Sequence, residues 1–282
     1  MTSVRDLLAR GSRTLSCDER NASSARDEAS LLLAHTLNAS RAWLVAHGVD
    51  AVDEEQAATF DAMIARRARG EPVAYLTGTR GFHALELHVT PDVLIPRPET
   101  ELLVELALQR IPVETECRIA DLGTGSGAVA LAIAHVRPLA RVTATDASEA
   151  ALDVARHNAQ RLGLRNVEFA QGNWCAALGD ARDFDLIVSN PPYIAENDPH
   201  LREGDLRFEP PAALASGAEG LDAIRTIVLD AHKQLRTGGW LLFEHGRDQG
   251  EAVRVLLTQS GYGEVFTARD LEGRERVSGG RV

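Results

Sequence analysis

An α/β fold is expected for most of this chain: a mostly parallel sheet with helices on its faces, preceded by a small helical bundle and a β-hairpin connector. Three observations lead to it. From about residue 115, short apolar runs alternate with helical stretches; residues 1 to about 70 carry helical periodicity with almost no strand signal; and Gly and Pro punctuate an alternating stretch between them. Strand–helix–strand order needs crossover connections, which make neighbouring strands parallel and gather ligands at their carboxyl ends. The expected organisation is a bundle over 1–72, a hairpin linker over 73–95 and an α/β domain over 96–282.

In the bundle, Val4, Leu7 and Leu8 share one face, and Ala29, Leu31, Leu32, Leu33 and Leu37 mark a second helix. Trp43 and Leu44 mark a short third, and Phe60, Met63 and Ile64 a fourth that ends at Gly70 ahead of Pro72. The cluster Arg66-Arg67-Ala68-Arg69 falls at that helix end, where cations suit the helix dipole, and is expected to be a solvated terminus. Tyr75–Gly78 and Phe82–Val89 alternate and predict the hairpin, with His83 and His88 on its surface and no metal assigned to them. Pro96 to Glu101 opens a helix, with proline and acids in its first turn. Strands are then expected near 118–120, 142–145, 167–169, 184–188, 240–243, 264–268 and 276–278, with helices over 128–135, around 152–155, over 220–236 and around 253–257.

At 282 residues the chain is long enough for one large or two unequal domains. Its 30 basic and 41 acidic residues leave a net charge of −11, which opposes general nucleic-acid binding because that affinity rests on neutralising phosphates. Cys17, Cys117 and Cys175 match neither a disulfide framework nor a metal spacing, which favours a reducing compartment. The N-terminus is too charged for a secretory signal, and no apolar run is long enough for a membrane span, so a cytoplasmic protein is expected.

The first strand of the α/β part runs into Asp121-Leu122-Gly123-Thr124-Gly125-Ser126-Gly127. Glycines let backbone approach a ligand and adopt positive φ. As Gly123-x-Gly125-x-x-Ala128 the loop also fits a loose dinucleotide fingerprint, and Asp146 at the end of the next strand suits a ribose diol in either case. Asp121 weighs towards S-adenosylmethionine (SAM), because a carboxylate there repels a pyrophosphate but attracts an ammonium. NAD stays the alternative. Asn173-Trp174 follows the third strand; the asparagine is placed to accept from an adenine amino group, while the indole either walls the adenine or fills core.

Asn190-Pro191-Pro192-Tyr193 follows the apolar strand Phe184–Ser189. Two prolines fix φ and remove two donors, so the strand stops in a stiff corner that carries an amide, free carbonyls and an aromatic ring. Such a corner suits the grip of a planar amide or amino group. Glu244-His245 at a later strand end is expected to be a satisfied polar pair and not a catalytic base.

The glycine loop, Asp146, Asn173-Trp174 and NPPY, in this order, resemble a class I SAM-dependent methyltransferase with a Rossmann-like seven-stranded sheet. Ile95–Glu101 (IPRPETE), Ser189–Ile194, Asp205–Pro210 with its RFEP, and Glu244-His245-Gly246 narrow the resemblance to the PrmC (HemK) family of release factor glutamine methyltransferases, from about residue 70 to the C-terminus. The resemblance implies N5-methylation of the glutamine in the GGQ motif of class 1 peptide chain release factors, with S-adenosyl-L-homocysteine as product. It places Gly123, Thr124, Gly125, Ser126, Gly127, Asp146 and Trp174 on SAM, Asn190 between cofactor and substrate, and Asn190, Pro191, Pro192 and Tyr193 around the glutamine. Where the family commonly has Asp, this chain has Asn173, which carries no charge to the adenine. NPPY alone also occurs in DNA adenine methyltransferases, so a nucleic-acid amino-group methyltransferase is the rival enzyme and a non-catalytic binding subunit the rival class. The bundle is expected to bind the release factor, and a monomer is expected.

Overall fold

The computed structural model describes residues 2–16 and 22–282, so Cys17 lies outside the described residues. They divide into two compact units, residues 1–79 and 80–282.

In the first unit, β1 (Thr2–Ser3) leads into α1 (Val4–Leu15), whose start is closed by a reciprocal bond pair between Ser3 and Asp6. Next come α2 (Ala22–Thr36), α3 (Arg41–Ala46), β2 (Ala51–Val52), α4 (Glu54–Ala68) and α5 (Val73–Thr77). Val4, Leu7, Leu32, Leu33, Phe60 and Ile64 are buried in one core, whereas Leu31 and Trp43, counted among the apolar marks of these helices, are exposed. The short antiparallel pairing of β1 with β2 was not legible, since two-residue strands have no period. The arginine cluster at the end of α4 is tied into the unit: Arg66 pairs with Glu71, and Arg67 with Glu28 at 2.8 Å.

The hairpin differs from expectation. Val73–Thr77 is helical, started by Pro72 and stopped by Gly78 at φ 71°, because these punctuators outweigh three alternating residues. β3 (Thr79–Phe82) and β4 (Leu85–His88) form the hairpin, and its turn falls at His83-Ala84, inside the run expected to be one strand.

In the second unit a 3-10 turn at Pro98–Thr100 precedes α6 (Glu101–Leu108). Then come β5 (Arg118–Leu122), α7 (Ala128–Val136), β6 (Arg141–Asp146), α8 (Glu149–Leu162), β7 (Val167–Gln171) and β8 (Phe184–Ser189). The chain ends in α9 (Asp222–Ala231), β9 (Leu235–Glu244), α10 (Gly250–Gln259), β10 (Gly263–Arg269) and β11 (Glu275–Arg281). α9 stops earlier than expected and β9 starts earlier: Leu235 already pairs with Phe184, and a register shift lets the Gly238-Gly239 pair ride within the strand. A side chain at Gly239 would press on the Phe184 carbonyl at 2.9 Å.

The seven strands run in the order β10-β11-β9-β8-β5-β6-β7, and β11 is antiparallel to both neighbours. α7 is apolar all round and buried from Ala128 to Ala134, which its run of alanines permits by letting it approach the sheet closely. α9 buries Ile224, Ile227, Val228 and Ala231 against the other face. Each fully buried Ile or Leu contributes about 1.5–3 kcal/mol. Strand order reverses between β5 and β8, where Leu122 lies opposite Ser189. That switch point is where a doubly wound sheet opens a crevice at its strands' carboxyl ends.

Candidate active site

The glycine loop leaves β5 at this crevice. Gly123 and Thr124 both donate their N–H to the Thr145 carbonyl, at 2.9 and 2.8 Å, so the loop hangs on β6. Gly123 has φ 73°, and a Cβ there would stand 3.0 Å from the Trp174 indole. Only a bare backbone fits both demands. Gly127, at φ 85°, caps α7, and a side chain on it would meet Leu131 at 2.9 Å. Buried Asn158 on α8 steadies the loop by donating to the Ser126 carbonyl at 2.9 Å, while its oxygen accepts from the His88 N–H at 2.7 Å.

Gly123, Thr124, Gly125, Ser126, Asp146, Trp174, Asn190 and Pro192 line one cavity of about 400 Å³. Gly127 does not reach its wall and acts on the loop's course alone. Trp174 lines the cavity and also packs on the core beneath β8. Asn173 also lines the cavity. The wall carries Asp92, Asp121 and Asp146 and, among the described residues, no Lys or Arg, so nothing cationic awaits a pyrophosphate.

Asp146 accepts from the Gly125 N–H through Oδ2 and from the Ser148 N–H through Oδ1, both at 2.9 Å. Each oxygen keeps a lone pair for a ligand hydroxyl. Asp121 is 1% exposed; its Oδ2 accepts from Thr124 Oγ1 at 2.7 Å and the Ala130 N–H at 3.1 Å. Burial pushes its carboxyl up to about 7, against these two bonds. Among the described residues Oδ1 has no partner, so a ligand cation has an oxygen to meet.

A smaller cavity of about 60 Å³ adjoins, lined by Asn190, Pro191, Pro192 and Tyr193 together with Leu94 and Arg97. Asn190 and Pro192 belong to both cavities. Asn190 donates its side-chain N–H to Thr100 Oγ1 at 3.1 Å, which leaves Oδ1, like the Pro191 carbonyl, without a protein donor among the described residues. The Tyr193 hydroxyl donates to Glu244 Oε1 at 3.0 Å, and the Tyr193 carbonyl accepts from Gln249 Nε2 at 3.0 Å. Glu244 is buried and held by two hydroxyls; burial raises its carboxyl above the ordinary range, while Thr100, Tyr193 and Arg276 act against that rise. His245 is satisfied by Ser278 and the Gly246 carbonyl, and burial lowers its pKa. The strand-end pair is therefore polar and satisfied, as expected.

IPRPETE and RFEP meet in space, a pairing that neither motif signals by itself. Buried Glu209 of RFEP binds the Arg97 guanidinium and accepts from the Ile95 N–H at 3.1 Å. The clasp fixes Pro96 and Pro210, both of which line the larger cavity.

A seven-stranded sheet of this order, with a glycine-walled, acid-lined cavity at its switch point, defines a class I methyltransferase fold. A T. thermophilus 16S rRNA N2 G1207 methyltransferase in complex with AdoMet and guanosine shares that fold at a TM-score of 0.55, with 22% identity over 72% of this chain and 49% of the other. Family models for the PrmC N-terminal domain and the methyltransferase small domain match residues 6–78 and 99–203. A release factor glutamine methyltransferase of Xylella fastidiosa is 57% identical over 91% of this chain and 93% of its own length; one of Bordetella pertussis is 50% identical over 99% of both. This chain belongs to the release factor glutamine methyltransferase family.

Proposed function

We propose that the protein transfers a methyl group from SAM to the side-chain amide nitrogen (N5) of the glutamine in the GGQ motif of class 1 peptide chain release factors, releasing S-adenosyl-L-homocysteine. The observation that carries the reading is the place of Asn190 on both cavities, with its Oδ1 and the neighbouring Pro191 carbonyl unclaimed among the described residues. Family membership supports the substrate, and relatives bearing that name match nearly the whole chain.

The larger cavity suits SAM by its donor set. Asp146 offers acceptors to a ribose diol, Asp121 a carboxylate oxygen to the amino acid end, and Gly123, Thr124, Gly125 and Ser126 a close backbone wall. Trp174 and Asn173 flank the adenine; Gly127 serves by turning the chain. When bound, SAM supplies a methyl group on a positively charged sulfur.

A carboxamide nitrogen is a poor nucleophile because its lone pair is delocalised into the carbonyl. Asn190 Oδ1 and the Pro191 carbonyl accept its two N–H bonds and turn the nitrogen towards the larger cavity. Pro192 stiffens the corner, and Tyr193 packs on the flat amide and excludes water. Orientation and fixed dipoles that favour charge moving onto nitrogen supply the rate. No strong base is needed beforehand, since the nitrogen becomes acidic only as it gains the methyl.

The release factor is the protein partner, and the helical N-terminal unit, residues 1–72, binds it. A net charge of −11 opposes direct nucleic-acid binding, and the protein acts as a cytoplasmic monomer without a metal. Mass spectrometry of a class 1 release factor after incubation with the protein and SAM is expected to find one added CH2 on the GGQ glutamine. Methyl transfer to DNA in place of the release factor would refute the reading.

A further inference from the structure

We infer that Thr100 and Glu244 are positioning residues that dictate which end of the Asn190 amide meets the substrate; the inference rests on the function proposed above and deepens it. Thr100 ends the 3-10 turn before α6, and Glu244 ends β9; both are buried. They lie 144 residues apart in sequence, yet Thr100 Oγ1 is 2.7 Å from Glu244 Oε2. Asn190 Nδ2 lies 3.1 Å from the same Thr100 oxygen, and the Tyr193 hydroxyl 3.0 Å from the other Glu244 oxygen.

The donor–acceptor directions in this chain of groups are forced from one end. The two hydroxyls and Arg276 favour the ionised form of Glu244 against its burial, and an ionised carboxyl only accepts, so Thr100 and Tyr193 both donate their single hydroxyl protons to it. The Thr100 oxygen is then left to accept from its remaining neighbour, so the NH2 end of Asn190 faces Thr100. The carbonyl end then faces away from Thr100, which itself lines the larger cavity, and is left without a protein donor among the described residues. The two ends of a carboxamide are nearly the same size, and packing alone would not choose between them. A reversed Asn190 would present a donor to the glutamine NH2, itself a donor, and the substrate nitrogen would lose its aim. Glu244 therefore acts through two intervening side chains without touching substrate. Two O–H bonds on separate oxygens, with Arg276 adding positive field, oppose the rise that burial imposes on that carboxyl.

The test uses the full chain with SAM and a class 1 release factor. Thr100→Val keeps the shape and removes the hydroxyl; Thr100→Ser keeps the hydroxyl and loses the methyl. Glu244→Gln keeps the outline but supplies its own donors. For each variant, kcat, the Kd of S-adenosyl-L-homocysteine and the thermal midpoint are measured. Thr100→Val and Glu244→Gln are each expected to lower kcat about 10²-fold, the scale of losing one preorganised dipole, with product affinity within about twofold. Thr100→Ser is expected to restore kcat to within about threefold of wild type, since the hydrogen bond survives. A purely packing role predicts the reverse order, with Thr100→Ser the worse variant. Wild-type kcat in Thr100→Val, or loss of product affinity in parallel with kcat, would overturn the inference. Failure of the wild type itself to methylate the release factor would instead remove the proposed function, and is read without any variant.

Discussion

The glycine loop after β5 and the diproline corner after β8 leave adjacent strands, yet they are fixed in opposite ways. The loop is made of backbone: its N–H groups hang on Thr145 and Asp146, one strand away, and its shape needs glycine at Gly123, where a side chain would collide with Trp174. The corner is stiff in itself but has few backbone bonds of its own, and distant side chains set its direction. Thr100, Glu244 and Gln249 hold Asn190 and Tyr193 from stretches far off in sequence. Under the proposed function, the part that accepts the cofactor gains from short-range construction. A part that must aim one atom gains from several independent supports.

The contrast can be broken most sharply at Asn190. Asn190→Ala is expected to lower kcat about 10²–10³-fold, as removal of a preorganised group does, with product affinity within about twofold. A matching loss of product affinity would mean that the corner and the loop are not separable. Asp146→Ala should do the converse, weakening S-adenosyl-L-homocysteine about 10–100-fold through lost charge-assisted hydrogen bonds while kcat at saturating SAM holds. Calorimetry and initial rates check both.

Acidity sharpens the comparison on the loop side. The buried Asp121 carboxyl, pushed up to about 7, is mostly protonated at pH 6 and half ionised at pH 7. A protonated acid does not attract an ammonium, so SAM affinity should rise about fivefold from pH 6 to pH 7, a gain that Asp121→Asn removes. The smallest effect is expected at Gln249, which bonds the Tyr193 carbonyl at 3.0 Å. Gln249→Ala should reduce kcat about threefold, the share of one neutral hydrogen bond worth ~0.5–1 kcal/mol, without moving the SAM Kd.

The same difference explains what could be read in advance. The glycine loop, Asp146 and the NPPY corner are local patterns, and each needs only its own few residues and the strand before it. Their meeting followed from strand order, because crossovers bring the ends of β5, β6, β7 and β8 to one edge. The supports were not readable. Asn158 looks like any polar residue of an amphipathic helix until its amide is seen between His88 and Ser126. Thr100 lies inside the IPRPETE motif and Glu244 in a strand-end pair expected to be satisfied, and neither segment signals the bond between them, which spans 144 residues. The hairpin was misplaced for a local reason: short alternation lost to Pro72 and Gly78, which start and stop a helical turn.

Ser189 donates its hydroxyl to the Leu122 carbonyl at 2.7 Å, directly before both loops depart. Under the proposed function, that bond and the parallel pairing around it give the methyl donor's berth and the acceptor's berth a single foundation. A displacement of either strand end is thereby passed to both loops.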